Sequence, residues 1–166
     1  MKKAGDLGLQ IDDDPQQQRR EWLVERVAWL ALTALLLAIA LGLFGRGGPL
    51  SQSIAKSADG SVQVEYDRFV RHHSPDALRV AFHASSGTAS IRLDARYADR
   101  IEIEDITPQP EREIAEEGAV TYVFNTQPGT KVTATFRFSP EKYGPLEGWV
   151  AVSQGPRIPF AQFVFP

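Results

Sequence analysis

The stretch Ile91-Arg92-Leu93-Asp94-Ala95-Arg96-Tyr97 sets apolar side chains against charged ones at nearly every second position. Successive side chains of a β-strand point to opposite faces, so this is the pattern of a strand with one face on a core and the other in water. The same alternation appears upstream in Val62-Gln63-Val64-Glu65-Tyr66 and in Leu78-Arg79-Val80-Ala81-Phe82. Downstream it returns in Ile101-Glu102-Ile103-Glu104, Val120-Thr121-Tyr122-Val123-Phe124, Val132-Thr133-Ala134-Thr135-Phe136-Arg137-Phe138 and Trp149-Val150-Ala151-Val152. Residues 158–165, with Phe160, Phe163 and Phe165, close the series.

Turn signals separate these runs: Asp59-Gly60, Ser85-Ser86-Gly87, Gln127-Pro128-Gly129, Ser139-Pro140, Tyr143-Gly144-Pro145 and Gln154-Gly155-Pro156. About seven or eight short strands at this spacing, without an amphipathic helix among them, predict an all-β domain over residues 61–166. The expected fold is an antiparallel immunoglobulin-like β-sandwich. The Cys–Trp–Cys hallmark of antibody domains is absent, so strand count and length carry the assignment. Residues 107–118, rich in proline and glutamate, read as an exposed loop with room for one helical turn.

Ahead of the strands the chain has a different character. Residues 27–45 read VAWLALTALLLAIALGLFG and carry no charge. A hydrocarbon layer of ~30 Å needs roughly twenty residues at 1.5 Å rise each, so the run is long enough to cross a bilayer. A cleavable signal peptide has a short basic start and a core of roughly 7–15 apolar residues. Here a long polar segment comes first and the core is longer, although Ala38-Ile39-Ala40 imitates a cleavage site. A buried helix of a soluble fold would need partner helices, and the strand-rich remainder offers none. An uncleaved anchor is the expectation.

The flanks agree with it. Trp22 and Trp29 lie two turns apart near the first interface, where amphipathic rings are favoured. Asp14 before Pro15 is a sound helix start, and Gly45-Arg46-Gly47-Gly48-Pro49 a sound stop. Lys2, Lys3, Arg19, Arg20 and Arg26 precede the span, against Arg46 and Lys56 close after it. That bias predicts a cytoplasmic N-terminus and an exterior C-terminal domain. Ala34, Ala38 and Gly42 recur every four residues, a small-residue stripe of the kind that lets membrane helices pack closely. The expected organisation is a polar tail (1–14), a juxtamembrane and transmembrane helix (15–45), a linker (46–60) and the sandwich (61–166).

Composition removes several chemistries. The formal net charge is −3 and the pI about 5.6, so there is no basic field for nucleic acid. The absence of cysteine excludes disulfides, thiolate metal sites and cysteine nucleophiles. No G-x-S-x-G, H-E-x-x-H, G-x-G-x-x-G or phosphate-loop motif occurs.

What remains are surface features. His72 and His73, with Asp76 nearby and His83 further on, are the only nitrogen-rich metal candidates. Neighbours on a strand point to opposite faces, so the pair does not easily share one ion unless the chain bends there, and a solvated turn is the expectation. Tyr66, Asp67, Arg68, Phe69 and Arg71 are the densest mixture of charge and aromatics in the domain, the composition of a binding hot spot and a candidate partner surface. Tyr143 and Trp149 are candidate stacking surfaces for a carbohydrate or other ligand. Glu102, Glu104, Asp105, Glu111, Glu113, Glu116 and Glu117 lack the spacing of a calcium loop and read as a solvated face.

The segments GPLSQS, from Gly48, and DGSVQVEYDRFVRHHSPDAL, from Asp59, resemble small uncharacterised bacterial single-pass inner-membrane proteins. Those proteins place a Gly-Pro-Leu-Ser break and a Tyr-x-Arg-Phe-x-Arg strand after their anchor, and the likeness covers about residues 45–80. The resemblance implies a bacterial inner-membrane protein and supplies no catalytic residues. The expected function is that of a non-enzymatic accessory subunit. Its partners are the lipid bilayer and another membrane or envelope protein, or further copies of itself; it takes no cofactor and no nucleic acid. A tethered ligand-sensing module, or a His-based metal enzyme or metal chaperone, are the alternatives.

Overall fold

The computed structural model describes residues 15–40 and 51–166. The helix and the β domain form two separate compact units.

Helix α1 (Pro15–Ala40) starts at the predicted proline and runs unbroken. Its segment Arg20–Ala40 is long and apolar enough to cross a membrane, and none of it is buried. Trp22 and Trp29 are exposed, and the Arg26 guanidinium lies 3.7 Å from the Trp22 ring one turn away. Ala34 is exposed and Ala38 half-buried. Gly42, the predicted stop at 45–49 and the charges of Lys2, Lys3 and Arg46 lie outside the described residues.

The β domain is an immunoglobulin-like sandwich of two sheets. One contains, in order, β1 (Gln52–Lys56), β2 (Val62–Asp67), β4 (Asp76–His83), β9 (Lys131–Pro140) and β6 (Ile101–Thr107). The other contains β3 (Phe69–Arg71), β11 (Ile158–Phe165), β10 (Gly144–Val152), β5 (Thr88–Asp94), β8 (Ala119–Asn125) and β7 (Arg112–Glu116). All neighbours are antiparallel except β3 and β11, which run parallel. We call these the first and second sheets.

Alternation in the sequence becomes layering in space. Val64, Leu78, Val80, Phe136 and Phe138 of the first sheet meet Ile91, Leu93, Tyr122, Phe124, Leu146 and Val150 of the second, all essentially sealed from water. Burial of that apolar surface, at ~25 cal/mol per Å², is the main stabilising term.

The sandwich has eleven strands rather than seven or eight, because three short or edge strands show no alternation. Residues 52–56, expected within the linker, form β1 through backbone pairing with β2, while their one large apolar side chain, Ile54, faces water. Residues 112–116, expected in a loop, form β7, every residue of which is exposed. The chain between β2 and β4, read as one strand end, breaks at Arg68 and crosses from the first sheet to the second as β3. A fourth difference is local: β5 ends at Asp94, whose carboxylate accepts from the Arg96 N–H (3.0 Å) and caps the short helix α2 (Ala95–Ala98).

That cap turns Tyr97 inward. Its side chain is fully buried, edge-on to Phe160 and Phe138, under Gly148 of β10. The Tyr97 hydroxyl donates to Gln162 Oε1 (2.7 Å), and Gln162 Nε2 donates to the Asp67 carbonyl (2.7 Å). A polar chain therefore ties α2 to β11 and to the end of β2, just where the backbone changes sheets.

Candidate partner-binding surface

The predicted cluster divides when it folds. Tyr66 turns toward the core and packs on Phe160, with ring centroids 5.4 Å apart. Asp67 is half-buried and gives its backbone carbonyl to Gln162. Arg68 and Arg71 stay exposed and flank Phe69, which faces outward on β3.

The parallel register of β3 and β11 then adds residues from the far end of the chain. Phe69 lies opposite Phe163, and Arg71 opposite Phe165. The Phe69 and Phe165 rings are 5.8 Å apart, and those of Phe163 and Phe165 are 4.9 Å apart. Pro145 of β10 pairs with Phe163 from the other side. Phe163 keeps 41% of its surface in water and Tyr143, just before β10, keeps 60%. These are two of only four large apolar side chains exposed in the described part of the sandwich, the others being Ile54 and Ile114.

Histidine joins the same end. His72 N–H donates to the Phe165 carbonyl (2.8 Å), and its Nε2 lies 3.0 Å from the Glu141 carbonyl. Its ring is 4.2 Å from Tyr143 and 3.8 Å from His73. The two rings meet because β3 stops at Arg71 and the chain bends, with His73 at φ 51°. Opposite-face geometry therefore does not hold at this pair. His83 closes the far end of β4, eight residues long and so about 25 Å away along the strand. Among the described residues no group of three or more His, Asp or Glu is placed to hold a metal ion. The result is an aromatic patch, Phe69–Phe163–Phe165, with Arg68 and Arg71 along its rim and the His72–Tyr143 pair tied to it through the His72 N–H on the Phe165 carbonyl.

Two other surfaces compare with it. On the outer face of the first sheet an open groove of about 810 Å³ is lined by Glu65, Asp67, Asp76 and Glu104 together with Arg79 and Arg137. Glu104 accepts a hydrogen bond from the Ser139 hydroxyl, and Glu65 sits across from Arg79. On the outer face of the second sheet Trp149 is half-buried, with Arg157 4.3 Å and Arg92 5.7 Å from its ring. Its π-face is occupied by the chain's own cations, whereas Tyr143, with only the His72 ring beside it, keeps most of its surface in water.

The sequence pointed to Phe69, Arg68 and Arg71. It did not reveal Phe163 and Phe165 as their neighbours, because only the parallel β3–β11 pairing brings the two ends together. No family model and no curated protein matches the chain. Among solved structures the chain is similar to a cohesin module from a Clostridium perfringens ATCC13124 family 33 glycoside hydrolase. The TM-score is 0.42 at 9% identity, over 68% of this chain and 97% of that one. It is also similar to a non-cellulosomal cohesin from the hyperthermophilic archaeon Archaeoglobus fulgidus. Here the TM-score is 0.36 at 12% identity, over 70% of this chain and 92% of that one.

Proposed function

We propose that the chain is a non-enzymatic, single-pass protein of a bacterial inner membrane, with its N-terminus in the cytoplasm. Its exterior sandwich binds another membrane or envelope protein through the patch centred on Phe163. The observation that carries this reading is the exposure of Phe163 on a cluster rimmed by Arg68 and Arg71, and of Tyr143 in the His72–Tyr143 pair tied to it. Solvated aromatics beside arginine lower the free energy when a partner covers them, and such groups dominate the energetics of protein interfaces. The apolar helix, none of whose membrane-length segment is buried, supports the anchor, and the excess of basic residues before the span supports the orientation.

The carbohydrate-platform alternative has less support, since Arg157 and Arg92 already cover the Trp149 ring.

The test is cross-linking in intact membranes with a photoreactive amino acid at Phe163, against the same group at exposed Gln127 on a distant turn. We expect one discrete protein adduct from position 163, absent from position 127 and reduced at least tenfold by Arg71→Ala with Tyr143→Ala. Adducts to lipid alone, or equal adducts from both positions, overturn the reading. Protease added outside spheroplasts digests the sandwich if the orientation is right and spares it if the topology is reversed.

A further inference from the structure

We propose that β7 is a self-complementary edge, pairing antiparallel with β7 of a second copy about a two-fold axis through Ile114. β7 hydrogen-bonds to β8 on one side only, and all five of its residues are exposed. An unpaired edge presents a row of free N–H and C=O groups, a template for one more strand.

The side chains specify which strand. β7 reads Arg112-Glu113-Ile114-Ala115-Glu116. Antiparallel pairing that keeps the faces of a continuous sheet in register pairs residues of equal parity. Centred on Ile114, it sets Arg112 of each copy opposite Glu116 of the other, giving two ion pairs around an Ile114–Ile114 contact. Registers centred on Glu113 or Ala115 set glutamate against glutamate.

Both charges are free for this role. Among the described residues neither Arg112 nor Glu116 forms an ion pair within the chain. Glu113, on the opposite face, is engaged by the Tyr122 hydroxyl and helps to push the Tyr122 pKa up to about 12, behind the larger effect of burial. Ile114 keeps 40% of its surface in water.

The other edges lack this pattern. β6 carries only acidic charges, Glu102, Glu104 and Asp105, and repels a copy of itself. β1 has Lys56 but no acid, and β3 is three residues long. Glu111 and Glu117 flank β7 and would meet as like charges, so the paired stretch is confined to the strand. Five paired residues cover far less than the ~1,200 Å² of a stable interface, so the pairing is weak and must be trapped to be seen. It does not depend on the anchor, although confinement in a membrane raises the effective concentration.

The chain has no cysteine, which makes trapping clean. The full chain carrying Ile114→Cys is oxidised in mild detergent beside Gln154→Cys, at an exposed turn. We expect a covalent dimer at least ten times faster from position 114. Adding Arg112→Glu or Glu116→Arg to Ile114→Cys slows trapping about tenfold, since two attractive pairs become repulsive. Mixing those two variants restores the rate as a heterodimer, because each then supplies the charge that the other lacks. Equal rates at positions 114 and 154, or a mixture no faster than either charge variant alone, overturn the proposal.

Discussion

A Cβ built on Gly148 falls 2.8 Å from the Tyr97 Cβ and 2.9 Å from its Cγ. Those atoms belong to a fully buried ring held by Phe160 and Phe138, so the ring has nowhere to move. Gly148→Ala is therefore expected to destabilise the sandwich by about 1–3 kcal/mol, read from chemical denaturation. Tyr97→Phe keeps the ring but deprives Gln162 Oε1 of its donor; Gln162 is itself buried, and the expected cost is about 1–3 kcal/mol. Asp59 gives a contrast on the surface. The Ser57 hydroxyl (2.5 Å) and the hydroxyl and N–H of Ser61 donate to its carboxylate and hold its pKa at about 2, below the ordinary 3.8. A lowered carboxylate pKa stabilises the fold above the unfolded value and loses that contribution as pH falls through the folded one. Unfolding midpoints of the natural chain and Asp59→Ala should thus differ by a constant amount above pH 4 and converge between pH ~4 and ~2. A gap that stays constant down to pH 2 contradicts the assignment.

Among the elements, strands with one face on the core were legible and edge strands were not. β4 and β5 bury every second residue, so polarity in the chain copies burial in space. β7 is exposed at all five positions and β1 is never fully buried, so their order comes from backbone pairing, which leaves no alternation to read. The run through Tyr97 continued the strand pattern past its true end, because the Asp94 cap redirects the chain while Tyr97 still points inward. The candidate site divides on the same ground: Phe69 and Arg71 lie two residues apart in sequence, whereas Phe163 reaches them only through a parallel pairing. Pairing across elements also controls Trp149, which Arg157, ahead of β11, covers at 4.3 Å. Arg157→Ala should cost about 0.5–1 kcal/mol. In a background with Trp22 and Trp29 replaced by Phe, it should also raise acrylamide quenching of the remaining tryptophan. Unchanged quenching means that the guanidinium does not shield the ring.

At the scale of the molecule, the helix and the sandwich are separate compact units, and the sandwich has its own continuous core from both sheets. Within its own unit none of the helix's membrane-length segment is buried, and its large apolar residues, from Leu23 to Ile39, are exposed. Leaving such a surface in water costs about 25 cal/mol per Å², which favours a bilayer or another apolar phase around it. Stability and attachment should therefore separate cleanly on truncation. A chain beginning at Ser51 keeps β1 and the residue just before it, Ser51, whose carbonyl accepts from the Arg68 N–H (2.7 Å), and so retains every hydrogen-bonded pair of the first sheet. It is expected to unfold in one cooperative transition at the midpoint of the full chain in detergent, within a few degrees, and to remain in the supernatant when vesicles are floated. The full chain should float with them and resist extraction at alkaline pH. A truncated domain that unfolds many degrees lower would show that the helix supports the sandwich. A full chain that stays below the vesicles would show that its apolar face is covered by protein rather than lipid.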